Sequence, residues 1–180
     1  MNNKVKVLAI SGSIRKRSYN KALLMSIKDH RQDIDMEIFD LENIPMYNED
    51  IEANMPISVK IFKQKIKEAD LVLIATPEYN YSISGVLKNA LDWASRPKND
   101  NSFSLKPVGI MGVSPGSLGT SRAQYHLRQI GVGLNMRILN RPEIMIAGAK
   151  DKFNDEDRLV DEKSIKLIDD LINEMIKMID

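Results

Sequence analysis

Val5-Lys6-Val7-Leu8-Ala9-Ile10-Ser11-Gly12-Ser13-Ile14-Arg15-Lys16-Arg17-Ser18-Tyr19-Asn20 is the stretch on which the fold turns. From Val5 to Ile10 it is a short aliphatic and β-branched run without the regular alternation of a solvent-facing sheet, the signature of a strand buried on both faces. Small, turn-forming residues then stop the run. After Asn20, Leu23, Leu24 and Ile27 recur at helical spacing, so the segment reads as strand, loop and amphipathic helix.

The same unit repeats along the chain. Leu71 to Thr76 ends at Pro77, and Val108 to Val113 ends at Ser114-Pro115-Gly116; each is followed by a helical pattern. Asp35 to Leu41 supplies another strand, and Arg137 to Leu139 with Glu143 to Ile146 supplies the last. Helical faces run through Val59, Phe62, Ile66 and Ala69, then Val86, Leu87, Ala90, Leu91 and Ala94, then Ser121 to Ile130. The longest carries Ile165, Ile168, Leu171, Ile172, Met175, Ile176 and Ile179. Strands alternating with helices predict an α/β, doubly wound parallel sheet, and residues 1–180 read as a single domain. The loops Glu42 to Asn54, Lys98 to Ser104 and Ala149 to Asp155 are the long ones.

Composition narrows the chemistry. The 180 residues include no cysteine, which removes disulfides, thiolate nucleophiles, iron-sulfur clusters and cysteine-held zinc. His30 and His126 are the only imidazoles, too few for a multi-histidine metal site, so no metal centre is expected. With 26 basic and 25 acidic side chains the chain lacks the cationic excess of a nucleic-acid binder, and no nucleic-acid partner is expected. The first apolar run is too short for a signal sequence, and no stretch approaches the roughly 20 apolar residues that span a bilayer. A cytoplasmic protein without membrane contact is the expectation. An organic cofactor remains open.

In such a sheet, ligands bind beyond the carboxyl ends of the strands, where strand order reverses. The loops expected there are Ser11 to Asn20, Pro77 to Ser84 and Ser114 to Arg122. The first lies before a helix N-terminus, whose free N–H groups and dipole favour a phosphate. Ser11, Ser13, Ser18 and Asn20 add neutral donors and Arg15 a charged fork; Ser18 or Asn20 would equally serve as an ordinary helix cap. The second loop, with Pro77, Glu78, Tyr79, Asn80 and Tyr81, has the character of a rest for a flat heteroaromatic ring. Surface packing of the two tyrosines is the alternative, and Trp93 reads as core or interface. Glu78 lacks the partner carboxylate or histidine of a general base. The third loop has Gly116 and Gly119, which allow close backbone approach or simply make a turn.

Gly112-Val113-Ser114-Pro115-Gly116 matches the nucleophile elbow of α/β-hydrolases letter for letter. No acidic residue lies between Ser114 and His126, and His126 falls inside the following helix, so the match reads as accidental. Neither the dinucleotide-binding glycine pattern nor a Walker A motif follows any strand.

Gly12-Ser13-Ile14-Arg15-Lys16-Arg17-Ser18-Tyr19-Asn20, Pro77-Glu78-Tyr79-Asn80, and Leu87-Lys88-Asn89-Ala90-Leu91-Asp92-Trp93 with Ser95-Arg96-Pro97 together resemble the NADPH-dependent FMN reductase family. That family includes quinone, azo-dye and chromate reductases, and the resemblance runs from the first strand to about Leu139. It implies a flavodoxin-like three-layer sandwich, a five-stranded parallel sheet ordered 2-1-3-4-5 with helices on both faces. It implies that Ser11, Ser13, Arg15, Ser18 and Asn20 hold the FMN phosphate. Pro77, Glu78, Tyr79 and Asn80 would lie along the isoalloxazine ring, largely through backbone groups, with Ser114 and Gly116 on the other side. Two positions depart from the family. Ser84 stands where proline is common, which is expected to loosen the ring loop, and Thr120 stands where another glycine is common.

The resemblance further implies a ping-pong reductase that takes electrons from NADPH or NADH through FMN to a small acceptor: a quinone, an azo compound, free flavin or a metal oxyanion. The flavin carries the redox chemistry, so no catalytic side chain is expected. The rival classes are a flavodoxin-type electron carrier and a flavin-binding protein without turnover; near-neutral charge and the arginine-bearing loop disfavour the former. Family members pair through the region of Leu87 to Trp93 and Arg96 to Ser104, implying a homodimer, or a tetramer built from it.

Overall fold

The computed structural model describes residues 4–179; the outermost ends of the expected 1–180 unit, 1–3 and 180, lie outside the described residues. Its elements in chain order are β1 (Lys6–Ser11), α1 (Tyr19–His30), β2 (Asp35–Phe39), α2 (Ile57–Glu68), β3 (Leu71–Ala75), α3 (Gly85–Ala94), β4 (Pro107–Val113), α4 (Ser121–Gly133), β5 (Arg137–Ile138), β6 (Ile144–Ile146) and α5 (Glu162–Ile176). Short 3-10 turns sit at Glu49–Asn54 and Ala149–Asp151, inside two of the long loops.

The sheet is parallel, ordered β2-β1-β3-β4-β5, with β6 pairing β4 as well. This is the expected order with one correction. The last strand is not continuous: β5 pairs the start of β4, Pro107 to Arg137 and Val108 to Ile138, while β6 pairs its end, from Met111 with Ile144 to Val113 with Ile146. The stretch between them contains Pro142, which has no N–H to give a ladder. Two side chains of α4 take carbonyls along this broken strand: Arg128 Nη1 donates to Leu139 O at 3.2 Å and Gln124 Nε2 to Ile144 O at 2.9 Å.

Because side chains alternate across a strand, each central strand feeds two cores. Val7 and Ala9 of β1, Leu71, Leu73 and Ala75 of β3, and Met111 and Val113 of β4 face α1 and α5. Leu8 and Ile10, Val72 and Ile74, and Val108 and Ile110 face α2, α3 and α4. Both faces are therefore covered, as uninterrupted apolar strands require. Each fully buried aliphatic side chain contributes roughly 1.5–3 kcal/mol, so two continuous layers anchor the strand ends from which the loops project.

The motif Leu87 to Trp93 has a structural use. Leu87, Ala90, Leu91, Trp93 and Ala94 are buried within the chain. Asn89 accepts from Tyr47 N at 2.7 Å and donates to Pro45 O at 2.9 Å, while Trp93 Nε1 donates to Pro45 O at 2.8 Å. Those bonds fasten the 42–54 loop against α3. Lys63 is the other buried tie. Its ammonium donates to the carbonyls of Ala94, Arg96 and Asp100, closing the end of α3, and burial lowers its pKa below the usual lysine range.

Candidate functional site

The chain leaves β1 toward β2 on one side and returns to β3 on the other, so the carboxyl ends of β1 and β3 form the switch point of the sheet. The loops after β1, β3 and β4 meet there. Gly12 N donates to Ala75 O at 2.8 Å, and a Cβ on Gly12 would lie 2.9 Å from Pro77 Cδ and 3.3 Å from Ala75 O. Only glycine lets the first two loops close to this distance. Ser84 adds a second tie: its hydroxyl donates to Gly12 O at 2.5 Å and accepts from Leu87 N at 3.2 Å, capping α3. The serine expected to loosen this loop binds it to its neighbour instead, because a hydroxyl can donate and accept at once.

The first loop is held open by its own side chains. Ser13 N donates to Ser11 Oγ at 3.4 Å and Arg15 N to Ser13 Oγ at 3.3 Å. The exposed Arg15 guanidinium folds over the loop, Nε donating to Arg17 O at 3.0 Å. Ser18 caps α1, accepting from Lys21 N at 3.3 Å, which leaves its hydroxyl proton as a donor. Asn20 is placed differently. It is buried, and its amide donates to Val113 O and accepts from Val113 N, both at 3.1 Å. It brackets α1 to the end of β4, beneath the loop.

Glu78 joins the second loop to the third. Its Oε2 accepts from Arg122 N at 3.0 Å and Ala123 N at 3.2 Å, and its Oε1 lies 3.5 Å from Arg122 Nη1. The N-cap residue of α4, Thr120, offers no side-chain cap. Glu78 supplies it from another segment, a role that also complements the helix dipole. The next residues form a two-residue hairpin: Tyr79 and Ser82 exchange backbone bonds at 3.0 Å across Asn80 (φ 50) and Tyr81 (φ 66). Asparagine tolerates that conformation; a tyrosine there carries about 1 kcal/mol or more of strain. Arg122 stacks on the Tyr81 ring at 3.9 Å, and His126 Nδ1 lies 3.1 Å from Ser82 Oγ, fixing the hairpin on α4. Tyr79 and Tyr81 are 51% and 63% exposed, large aromatic surface held in place and offered to solvent.

The third loop is pinned from behind. Ser114 N donates to Ile146 O at 3.0 Å and Ala149 N to Ser114 O at 3.1 Å. Ser114 Oγ faces Gly116 O at 3.4 Å, and His126 is engaged by Ser82, so the hydrolase-like pattern has no nucleophile relay. Gly112 is needed for another reason: a Cβ there would fall 1.9 Å from Thr120 Oγ1. Thr120 itself is buried at φ 67, with Gln124 Nε2 donating to its hydroxyl at 3.1 Å. This threonine accepts backbone strain and gains a buried hydrogen bond.

A cleft of about 380 Å³ runs over Gly12, Ser13, Arg15, Tyr79, Ser84 and Val86. Its lining brings Ser13 and Arg15 of the first loop together with Tyr79 and Ser84 of the second. That donor set suits a phosphate joined to a flat ring. Among the described residues no group of acidic or histidine side chains is arranged to hold a metal. The residues that sequence reading missed are those acting across long separations: Asn89 and Lys63 as ties, and Arg122 as partner of Glu78 and Tyr81.

Residues 5–151 match the family model described as NADPH-dependent FMN reductase. An NAD(P)H-dependent FMN reductase of Pseudomonas aeruginosa is 50% identical over 170 residues, covering 93% of this chain and 91% of the relative. An NADPH:quinone oxidoreductase of Arabidopsis thaliana is 44% identical over 166 residues, covering 88% and 83%. Among solved structures, the flavoenzyme NAD(P)H:(acceptor) oxidoreductase FerB of Paracoccus denitrificans superposes with a TM-score of 0.89 at 33% identity, over 97% of both chains.

Proposed function

The chain belongs to the NADPH-dependent FMN reductase family, and from that premise we propose how its residues serve the activity. It is an FMN-dependent oxidoreductase that draws on NADPH or NADH and delivers electrons to a small-molecule acceptor. The closing of the first two loops on each other at the switch point, with Ser13, Arg15 and Tyr79 lining one cleft, supports the site assignment.

Ser11, Ser13, Arg15 and Ser18, with the N–H groups of the loop before α1, hold the phosphate. Arg15 reaches it by giving up its bonds to the Arg17 carbonyl. Asn20 serves from below, by bracing α1 against β4. Pro77, Tyr79 and Asn80 line the ring with backbone groups, Glu78 fixes that loop through the N-terminus of α4, and Ser114 and Gly116 close the opposite side. FMN held by these residues would supply the two-electron chemistry that links reduced nicotinamide to the acceptor. The protein orients the two substrates, which take turns in ping-pong order, and no side chain is assigned a catalytic role. Quinones are the first acceptor class to test, with azo compounds, free flavin and metal oxyanions behind them.

The protein works as a homodimer in the cytoplasm. The apolar face of α3 is filled within the chain, so pairing falls to neighbouring exposed residues such as Met46 and Ile57, 78% and 72% exposed. Size-exclusion chromatography with light scattering checks this: a stable monomer at micromolar concentration rejects it.

Anaerobic stopped-flow absorbance tests the activity. The yellow holoprotein is expected to bleach on mixing with NADPH or NADH and to recolour with benzoquinone. Bound flavin that neither nucleotide reduces overturns the reading, as does a colourless protein that ignores added FMN.

A further inference from the structure

A second groove, also of about 380 Å³, opens on the other side of the phosphate loop, between α1 and the edge strand β2. Ser13 lines both this groove and the ring cleft, so the two cavities meet at the residue assigned to the phosphate. Ser11 also faces the groove, and beyond it the lining changes character. Met25 of α1 is 55% exposed and Ile38 of β2 is half-buried, an apolar strip at the sheet edge. At the carboxyl end of β2 stands Asp40. Its Oδ2 accepts from Lys21 Nζ at 3.0 Å and its Oδ1 from Glu42 N at 3.0 Å. The Glu42 N–H and the Lys21 ammonium hold this carboxyl below the usual aspartate range, so it is an ionised acceptor.

We propose that this groove receives the adenosine half of a flavin dinucleotide, with its phosphates on the Ser11 to Ser18 loop, so that the protein accepts FAD as well as FMN. An acidic side chain at the end of the second strand of a doubly wound sheet suits a ribose hydroxyl. The Met25 and Ile38 strip offers a face to an adenine ring. The occupant follows from continuity: a substituent on a phosphate seated at Ser13, with its ring in the Tyr79 cleft, has this groove as its exit. The inference rests on the flavin reading of the first cleft.

The test titrates apoprotein with FMN and with FAD by calorimetry, for the wild type, Met25→Glu and Asp40→Ala. FAD is expected to bind within about tenfold of FMN. Both substitutions are expected to weaken FAD by about tenfold while leaving FMN unchanged. Wild-type FAD affinity lower than that of FMN by a hundredfold or more overturns the proposal, as do substitutions that weaken both flavins alike or neither. If neither flavin binds the wild type, the reading of the first cleft fails instead. Adenosine can also arrive on NADH, so KM for NADH is measured on FMN-loaded Met25→Glu. An unchanged KM is expected; a raised KM with FAD affinity intact assigns the groove to the nicotinamide nucleotide and rejects the flavin dinucleotide.

Discussion

The carboxylate of Glu78 accepts the backbone N–H of Arg122 at 3.0 Å while its other oxygen lies 3.5 Å from the same residue's guanidinium. One side chain of the ring loop thus caps the helix that begins after the third loop. Removing it is expected to disturb the site by geometry, not by loss of a base. Glu78→Ala should lower stability by about 1–2 kcal/mol and weaken FMN binding, and Glu78→Gln should recover most of both. Urea unfolding and flavin titration measure this. A flavin-loaded, stable Glu78→Gln protein with no turnover would instead make Glu78 a catalytic residue.

Arg15 and Asn20, both tied to the phosphate by resemblance, are expected to separate on substitution. Arg15→Ala should leave the urea midpoint unchanged and reduce FMN affinity by about 10- to 100-fold, the worth of a charge-assisted contact. Asn20→Ala leaves both polar groups of Val113 unpaired in a buried place and should cost about 2–4 kcal/mol of stability. Equal loss of stability in the two variants rejects this division.

Ser84 offers a test of how a loop is held. Ser84→Ala removes the cap of α3 and the bond to Gly12 O together and should cost about 1–3 kcal/mol. Its φ of −67 already suits proline. Ser84→Pro is therefore expected to be more stable than Ser84→Ala, since a fixed φ offsets part of the loss by about 0.4–1 kcal/mol through the unfolded chain. Thermal melts of the three proteins rank them; proline below alanine refutes the compatibility.

The start of α5 predicts a dependence on acid. Hydrogen bonds from Lys152 and Ser164 hold the Asp161 carboxyl down to about 2. In the unfolded chain it returns to roughly 4. The folded form therefore binds fewer protons in between, and this contribution, full above pH 4, is lost as pH falls toward 2. Asp161→Asn keeps an N-cap but no charge, so its stability should fall less steeply than the wild type's between those values. Denaturant melts across the window measure it, and parallel slopes exclude the pair as a cause.

The strands of the sheet were legible because their cause is local, whereas their order was implied by the family resemblance. Val7 to Ile10, Leu71 to Ala75 and Val108 to Val113 are apolar without interruption, and that follows from burial on both faces. The three site loops were legible because they trail those strands. What was hidden depends on distance along the chain. Glu78 reads as a lone acid until α4, far along in sequence, turns its N–H groups toward it. Asn20 and Val113 are likewise remote, and an amide in a serine-rich loop gives no sign that it points inward. Lys63 occupies an otherwise apolar helix face, and only the fold of the 94–100 segment brings three carbonyls to its ammonium.

The broken strand beside β4 bears on how copies of this chain coexist in a crowded solution. A long straight edge offers free N–H and C=O groups to any other strand, which is how aggregates begin. Here that side of the sheet ends in β5 and β6, two short fragments separated at Pro142. The opposite edge, β2, carries Glu37 paired to Lys65 at 2.8 Å. Neither border gives a neighbouring chain a long, uninterrupted template on which to add a strand.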